Sequence, residues 1–316
     1  MERHNLFTTH QHGFRKGRYC VTQLIEVLDD WTEQLENPDA IDTIYLDFQK
    51  AFDTVPHQRL INKLQSYGIC GYILGWIRDF LANRKQKLVI NGRGSDWTTV
   101  TIGIPKGSVI GPILVTIYIN DLPDVVHNIA KLFADDTKVY TVVNKEEEQH
   151  SLQNDINNLV HWSDKWLLNF NKSNCKHVHL GHATNTKYKM GENEINQVTE
   201  EKDLGILIDD KLKFQQHINP QTKKANQRLG MIKRSFRYMD KEVFLTLFKS
   251  IVRPHLEYGS NVLSVIYIKK KVMQIENVQR RATKLVKKYT TSELHRTPEI
   301  YWIAITSIQK TESRHG

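Results

Sequence analysis

Three acidic residues stand where short hydrophobic segments end, and their type and placement could support metal-dependent chemistry. Asp47 closes a β-rich segment, and Asp135 and Asp136 stand between two further segments of strand character. Carboxylates that hold two divalent ions about 3.5 to 4 Å apart can catalyse phosphoryl transfer, and Mg²⁺ prefers such oxygen ligands. By itself an Asp-Asp pair is more typical of a solvated turn, so these residues alone support a metal site only weakly.

The spacing of apolar residues predicts the elements that present these acids. Helical spacing predicts a helix over residues 21–36, and Asn91-Gly92 predicts a hairpin turn. The run 113–119 fits either a buried helix or a strand, and Pro112 before it favours a helix start. The other predicted elements are strands at 43–48, 131–134, 137–140, 177–180 and 204–208, hairpin arms at 87–90 and 97–102, and helices at 56–64, 146–168 and 269–289.

Composition and charge restrict the class of protein. The 316 residues include 44 Lys and Arg against 35 Asp and Glu, a formal net charge of +9. That charge favours a polyanionic partner, either nucleic acid or an anionic membrane surface. No stretch approaches the roughly 18 apolar residues of a membrane span, and the three cysteines form neither a metal-binding pair nor a disulfide framework. We therefore expect an intracellular protein that is not secreted.

Three histidines, His177, His179 and His182, stand close together in the sequence. The first two alternate on one face of a predicted strand, but no cysteine has a spacing suited to a shared metal ion. We therefore expect ordinary histidines here rather than a metal cluster.

The segments around the three acids resemble ordered motifs of reverse transcriptases. YLDFQKAFD at 45–53 resembles motif A, LFADD at 132–136 resembles motif C, and GIPKGSVIGP at 103–112 resembles motif B of non-LTR elements. The resemblance extends to the fingers motif at 11–18, motif D at 166–176, motif E at 202–205 and a post-thumb segment at 276–284. The chain is identified as a member of the reverse transcriptase domains of non-LTR retrotransposons, of the jockey/CR1-like LINE type.

This resemblance implies a fold and an activity. The fold class is α+β: a right-hand polymerase with a fingers remnant and a palm bearing an antiparallel sheet at 1–210, then a helical thumb and C-terminal helical extension at 211–316. The activity is RNA-directed DNA polymerisation with two Mg²⁺ ions, or Mn²⁺ in their place. The partners are an RNA template, a DNA primer and deoxynucleoside triphosphates, with no membrane and no particular protein partner indicated. Action in the nucleus after cytoplasmic synthesis would follow from target-primed synthesis.

The resemblance also implies roles for the residues of motifs A and C. Asp47 and Asp135 would be the principal catalytic acids and metal ligands. Asp136 would be a second acid that shapes the site, and the backbone carbonyl of Phe48 would be a further ligand. Asp53 belongs to motif A too, but we expect it to cap a helix.

Five further residues would contact the substrates. Arg15 and Lys16 would grip the triphosphate, and Phe52 would exclude the sugar 2′-hydroxyl. Lys106 and Gly107 would lie near the nascent base pair, where glycine allows a close approach. Four of them have a plainer alternative: Arg15 and Lys16 fit a solvated loop, Phe52 a core aromatic and Gly107 a turn.

Two departures from the family pattern leave a second interpretation open. Lys106 stands where glutamine is usual, and Asn174 stands where a lysine commonly precedes the cysteine, so Lys172 or Lys176 would have to act as the general acid. The chain also begins just before the fingers motif, with no endonuclease segment ahead of it. The alternative is a truncated, inactive retroelement relic that only binds nucleic acid. In either interpretation, basic helical residues would contact the template-primer backbone, unless they only form the solvated face of a packed helix; among them are Lys223, Lys224, Arg228, Lys233, Arg234 and Arg237.

Overall fold

A five-stranded sheet lies at the centre of Met1–Thr199, the first of two units into which the chain divides; the second is Glu200–Gly316. The computed structural model describes residues 6–37, 39–182, 186–236, 240–264 and 269–289. Arg237, one of the basic residues named above, lies outside these ranges. In the part of the chain described, no helix has the length and apolar character needed to cross a membrane.

The first unit alternates helices with short strands. Its helices are α1 (Cys20–Glu36), α2 (Ala51–Thr54), α3 (His57–Ser66), α4 (Gly71–Leu81), α5 (Gly111–Tyr118) and α6 (Glu146–Trp166), with a 3₁₀ turn at Leu122–Val125. Its strands are β1 (Ile41–Leu46), β2 (Lys85–Gln86), β3 (Val89–Ile90), β4 (Arg93–Gly94), β5 (Thr98–Thr99), β6 (Ile129–Phe133), β7 (Asp136–Val142), β8 (Lys176–Leu180), β9 (Lys189–Met190), β10 (Asn193–Glu194) and β11 (Asn196–Val198).

Strand β1 is the middle strand of the main sheet, whose order is β11-β8-β1-β7-β6. It pairs antiparallel with both β7 and β8, and β6 pairs antiparallel with β7; only β11 joins in parallel. The register sets Leu46 opposite Thr137 and Phe133 opposite Asp136. The end of β1 and the β6–β7 turn therefore lie at the same edge, which confirms the predicted antiparallel sheet and hairpin tip.

Helix α1 shows how the sequence pattern directs packing. Leu24, Val27, Leu28 and Trp31 recur at helical spacing and are all 1% exposed or less. Trp31 meets the ring of Tyr140 on β7 edge to face, 5.8 Å between centroids. Burial of such side chains contributes about 1.5 to 3 kcal/mol each, so this face fixes α1 against the sheet, as the predicted helix over 21–36 requires.

The main core of the unit joins the sheet to α3, α5 and α6. Ile44 and Leu46 of β1 pack in one cluster with buried residues of the helices, among them Leu60, Leu64, Leu114, Val115, Ile117, Leu152, Ile156 and Leu159. The ambiguous run after Pro112 forms helix α5, which is buried over most of its length.

The predicted hairpin around Asn91-Gly92 is right in its turn and wrong in its arms. Both turn residues have positive φ, 50° and 80°, as a tight type I′ turn requires. The inner ladder pairs β3 with β4 directly across this turn, and a separate outer ladder pairs β2 with β5. The strands are shorter than the apolar pattern implied because they are solvent-exposed throughout, so no buried face extends the pairing.

The second unit is a β-hairpin followed by helices. Its elements are β12 (Glu200–Asp203), β13 (Ile206–Asp209), α7 (Gln215–Ser235), α8 (Lys241–Leu247), a π-helical turn at Phe248–Val252, α9 (Arg253–Glu257), α10 (Ser260–Ser264) and α11 (Lys269–Tyr289). Leu229 of α7, Phe244 of α8 and Val278 of α11 share one apolar cluster. The predicted apolar stripe of the helix over 269–289 is confirmed for Ile275, Val278, Ala282 and Leu285, while the side chain of Val272 lies outside the described part.

Candidate active site

The predicted acids lie together at one edge of the main sheet. Asp47 directly follows β1 and is half-buried; Asp135 occupies the β6–β7 turn and is also half-buried; Asp136 begins β7 and is exposed. Asp47 and Asp135 are close enough for one charge to influence the other. The structure thus brings the two principal acids together, with Asp136 turned more towards solvent.

The pKa of Asp135 is raised above its ordinary value. Burial is the main cause, and the negative charge of Asp47 adds to it, while the positive charge of Lys106 acts in the opposite sense. Two carboxylates that repel each other in a partly desolvated place are stabilised by a cation between them. This electrostatic setting fits the residues to hold divalent metal.

The spacing of the acids also bears on which metal arrangement fits. Within the described ranges, one group of three His, Cys, Asp or Glu residues has its ligand atoms within 4.8 Å of one another: Asp42, His177 and His179. The carboxylates of Asp47, Asp135 and Asp136 are therefore farther apart than this. Their donors are all oxygen, the type that Mg²⁺ prefers.

Two asparagines hold Asp47 in position. The side-chain amides of Asn171 and Asn174 each donate to Oδ2 of Asp47, both at 3.0 Å. The backbone N–H of Asn171 also donates to the carbonyl of Asp47 at 2.7 Å. Since both side chains hold the same oxygen, they orient the carboxylate while Oδ1 can serve as a ligand. Sequence reasoning treated Asn174 only as a missing lysine and did not find this role.

A second support, the N-terminal clamp of Gln11 and Gly13, holds the turn that carries Asp135. The side chain of fully buried Gln11 accepts from the N–H of Ala134 at 2.8 Å and donates to its carbonyl at 3.2 Å. Ala134 has a left-handed φ of 55°, which is unfavourable without glycine. A Cβ on Gly13 would lie 2.2 Å from the nitrogen of Ala134, so this close approach requires glycine. The sequence offered no signal for the clamp beyond its place in the fingers motif.

Phe48 and Phe52 follow Asp47 and have different settings. The Phe48 ring is buried and stacks on Phe170 at 4.6 Å, so its backbone carbonyl is the group available as a ligand. Phe52 lies on α2, half-buried, and its carbonyl accepts from the N–H of Ile104 at 2.6 Å. A Cβ on Gly103 would lie 2.5 Å from the carbonyl oxygen of Asp53, so glycine lets the motif B loop reach α2.

Lys106 pairs with a residue that was expected to do something else. Its Nζ donates to Oδ2 of Asp53 at 2.6 Å, and both side chains are largely exposed. Asp53 lies within α2, whose N-cap is Lys50, so the predicted capping role of Asp53 is wrong. The partner comes from a distant loop that local spacing cannot reveal. Gly107 follows, exposed, with φ of 79°.

Arg15 and Lys16 belong to the same N-terminal segment as the clamp. Arg15 donates to the carbonyls of Thr8 at 2.8 Å and Gln11 at 3.4 Å, and its guanidinium lies 5.6 Å from the centre of the Phe7 ring. Lys16 is exposed to solvent. Arg15 therefore braces the segment that supports Asp135.

Comparisons with known proteins agree with this geometry. A family model described as reverse transcriptase (RNA-dependent DNA polymerase) matches residues 1–239. The chain therefore belongs to the reverse transcriptase family, in its non-LTR retrotransposon branch, which confirms the resemblance seen in the sequence.

Two relatives place the chain within that branch. It is 26% identical over 299 residues to "Probable RNA-directed DNA polymerase from transposon X-element" of Drosophila melanogaster, covering 90% of this chain and 32% of that protein. It is 28% identical over 274 residues to the RNA-directed DNA polymerase from mobile element jockey of Drosophila funebris, covering 81% and 29%. The chain thus spans about a third of the length of these relatives.

A solved structure supports the fold. Apo telomerase from Candida tropicalis superposes with a TM-score of 0.55 at 12% identity, covering 98% of this chain and 52% of that one. The prediction of a right-hand polymerase fold of mixed α and β structure is confirmed at this level.

Proposed function

We propose that this chain is an RNA-directed DNA polymerase. The 3′-hydroxyl of a DNA primer attacks the α-phosphate of a deoxynucleoside triphosphate selected by an RNA template, and pyrophosphate leaves. The proposal rests mainly on the proximity of Asp47 to Asp135 where β1 ends and the β6–β7 turn lies. The pKa of Asp135 is raised there by burial and by the negative charge of Asp47.

The carboxylates of Asp47 and Asp135 and the carbonyl of Phe48 would hold two Mg²⁺ ions, or Mn²⁺, with Asp136 shaping the site. When bound, the ions lower the pKa of the attacking hydroxyl and neutralise charge on the triphosphate. The oxygen donor set and the mutual repulsion of the acids support this assignment.

The other residues would position the reactants. Arg15 and Lys16 would contribute positive charge toward the triphosphate, and Phe52 on α2 would face the sugar and exclude a 2′-hydroxyl. Lys106 would lie beside the nascent base pair with Gly107. Its exposed ion pair with Asp53 is worth only about 0 to 1 kcal/mol, so a phosphate can replace Asp53 as its partner.

The second unit would supply nucleic-acid contacts. We assign residues 1–210 to fingers and palm, and 211–316 to a helical thumb and C-terminal extension. Helix α7 presents exposed Lys223, Lys224, Arg228, Lys233 and Arg234, suited to the phosphates of an RNA template and DNA primer. Such contacts are independent of sequence and weaken with salt. Target-primed synthesis would place this activity in the nucleus.

Primer extension on poly(rA)/oligo(dT) tests the proposal. With Mg²⁺ or Mn²⁺, the wild-type chain should extend the primer, and Asp135→Ala should reduce incorporation about 1,000-fold or more, because metal ions supply several kcal/mol of transition-state stabilisation and about 1.4 kcal/mol is worth tenfold. The matched control is Asp164→Ala, an exposed acid on α6, which should extend like wild type. Salt-sensitive duplex binding without extension by the wild-type chain would instead identify the binding-only relic.

A further inference from the structure

A second cluster of ionisable side chains lies inside the first unit, at the opposite end of β1 from Asp47. Asp42 faces His179 across the β1–β8 pairing, and His177 lies two residues along on the same face of the sheet. The side chains of Asp42, His177 and His179 are 0%, 1% and 9% exposed. Ionisable groups this deeply buried need strong partners.

The three side chains each bring one ligand atom into a single cluster around Oδ1 of Asp42. Oδ1 of Asp42 lies 2.8 Å from Nε2 of His177 and 2.6 Å from Nδ1 of His179. All three atoms lie within 4.8 Å of one another. Two imidazole nitrogens and one carboxylate oxygen form a donor set that suits Zn²⁺ and its first-row neighbours.

The opposite atoms of two of these ligands are held by outer partners. The hydroxyl of buried Tyr188 donates to Oδ2 of Asp42 at 2.6 Å, and Nε2 of His179 lies 2.7 Å from the carbonyl oxygen of His182. Metal-binding histidines characteristically donate their second N–H to a carbonyl, and metal-binding carboxylates are themselves hydrogen-bonded. The arrangement around Asp42 and His179 has both features.

We propose that Asp42, His177 and His179 bind one first-row divalent transition-metal ion, Zn²⁺ in preference to Mg²⁺, at a site that joins β1 to β8. The imidazole ligands distinguish it from the oxygen-only set at Asp47 and Asp135. The site is independent of the polymerase proposal, because none of its ligands belongs to the catalytic acids. Its location on the central strand pair means that the ion would stabilise the sheet.

The first test uses the wild-type chain. After treatment with EDTA and removal of the chelator, titration with Co²⁺ should develop ligand-field absorption that saturates at an equimolar ratio, and Zn²⁺ should displace the Co²⁺. An absence of saturable binding at micromolar metal would overturn the proposal.

Variants identify the ligands. His179→Gln should weaken Zn²⁺ binding by more than about 100-fold, and Tyr188→Phe, which keeps all three ligands, by about 10-fold. His161→Gln, at an exposed histidine on α6, is the matched control and should bind like wild type. Equal losses in His161→Gln and Tyr188→Phe would show adventitious surface binding and contradict the site. If His179→Gln fails to fold, the wild-type titration and Tyr188→Phe still decide.

Discussion

Two aspartates, Asp42 on β1 and Asp47 directly after it, have opposite electrostatic settings. Asp42 is fully buried, and its carboxylate forms hydrogen bonds with His177, His179 and Tyr188. Burial would raise the pKa of Asp42, but hydrogen bonds from His177 and His179 outweigh it and hold that pKa below its ordinary value. Asp47, five residues along, is half-buried, has its two amide donors on a single oxygen, and lies beside the like-charged Asp135.

The difference separates the charges that maintain the fold from those available for chemistry. A buried carboxylate surrounded by donors stabilises its protein only as long as every partner stays in place. A carboxylate held at one oxygen and repelled by a neighbour retains capacity for a cation, which is why perturbed pKa values mark functional sites. The sheet therefore has a structural end at Asp42 and a reactive end at Asp47.

Exchanging each acid for its amide should give the largest contrast in stability. Asp42→Asn should lower the free energy of unfolding by about 3 to 5 kcal/mol, since breaking a buried charge network leaves partners uncompensated. Asp47→Asn should change it by no more than about 1 kcal/mol, since it removes the repulsion by Asp135 and its side-chain oxygen can still accept from Asn171 and Asn174. Urea unfolding in EDTA measures both values. Similar losses in the two variants would remove the distinction between the two ends.

The clamp should give the next largest effect. Gln11→Ala leaves the N–H and carbonyl of Ala134 without the side-chain partner that they have now, which costs about 1 to 3 kcal/mol. Urea unfolding gives the loss, and hydrogen exchange at the Ala134 amide should accelerate. Gln65→Ala, at an exposed position on α3, is the control. An unchanged exchange rate at Ala134 would show that the turn keeps its conformation without the hydrogen bonds from Gln11.

Removal of one side-chain amide beside Asp47 should weaken Mg²⁺ binding rather than lower the stability of the fold. Asn174→Ala takes away a donor that orients Asp47, so the Mg²⁺ concentration for half-maximal primer extension should rise about 10-fold, as is typical when an outer partner of a metal ligand is lost. Asn193→Ala, at an exposed asparagine on β10, should leave it unchanged. A fall in rate at saturating Mg²⁺ without this shift would point to another role.

The smallest expected effect is a gain in the free energy of unfolding. In EDTA, Asp135→Asn removes repulsion from Asp47 and should stabilise the chain by about 0.2 to 1 kcal/mol, the range for like charges facing each other on a sheet. The pKa of Asp135 is raised in the fold, so its penalty is absent below the unfolded value of about 3.9 and grows as pH rises through the folded pKa. The advantage of the variant should widen over that window in urea unfolding. A constant difference at all pH values would contradict the raised pKa of Asp135.

Features set by local patterns were predictable from the sequence. The helix over 21–36, the turn at Asn91-Gly92 and the hairpin tip carrying Asp135 follow from apolar spacing and turn chemistry, and all three are observed. The motif order then gave the family, which no single element could have given. The roles of the individual substrate-binding residues stay predictions.

Features set by contacts between distant segments were not predictable. Asp53 was expected to cap a helix, but its partner Lys106 lies 53 residues away. His177 and His179 were set aside because no cysteine had a suitable spacing, while their partner is Asp42 on a neighbouring strand. Pairing of this kind depends on the register between strands. That register cannot be read from the residues of a single strand; it is known only once the sheet is assembled.

The N-terminal clamp has a consequence for how the molecule assembles. The Gln11–Ala134 contact spans 123 residues, so its formation closes a very long loop whose entropic cost must be met by structure already in place. The β6–β7 hairpin is local by comparison and can form early. We therefore expect the reactive turn to acquire its final shape late in folding, when residues 10–12 dock along β6.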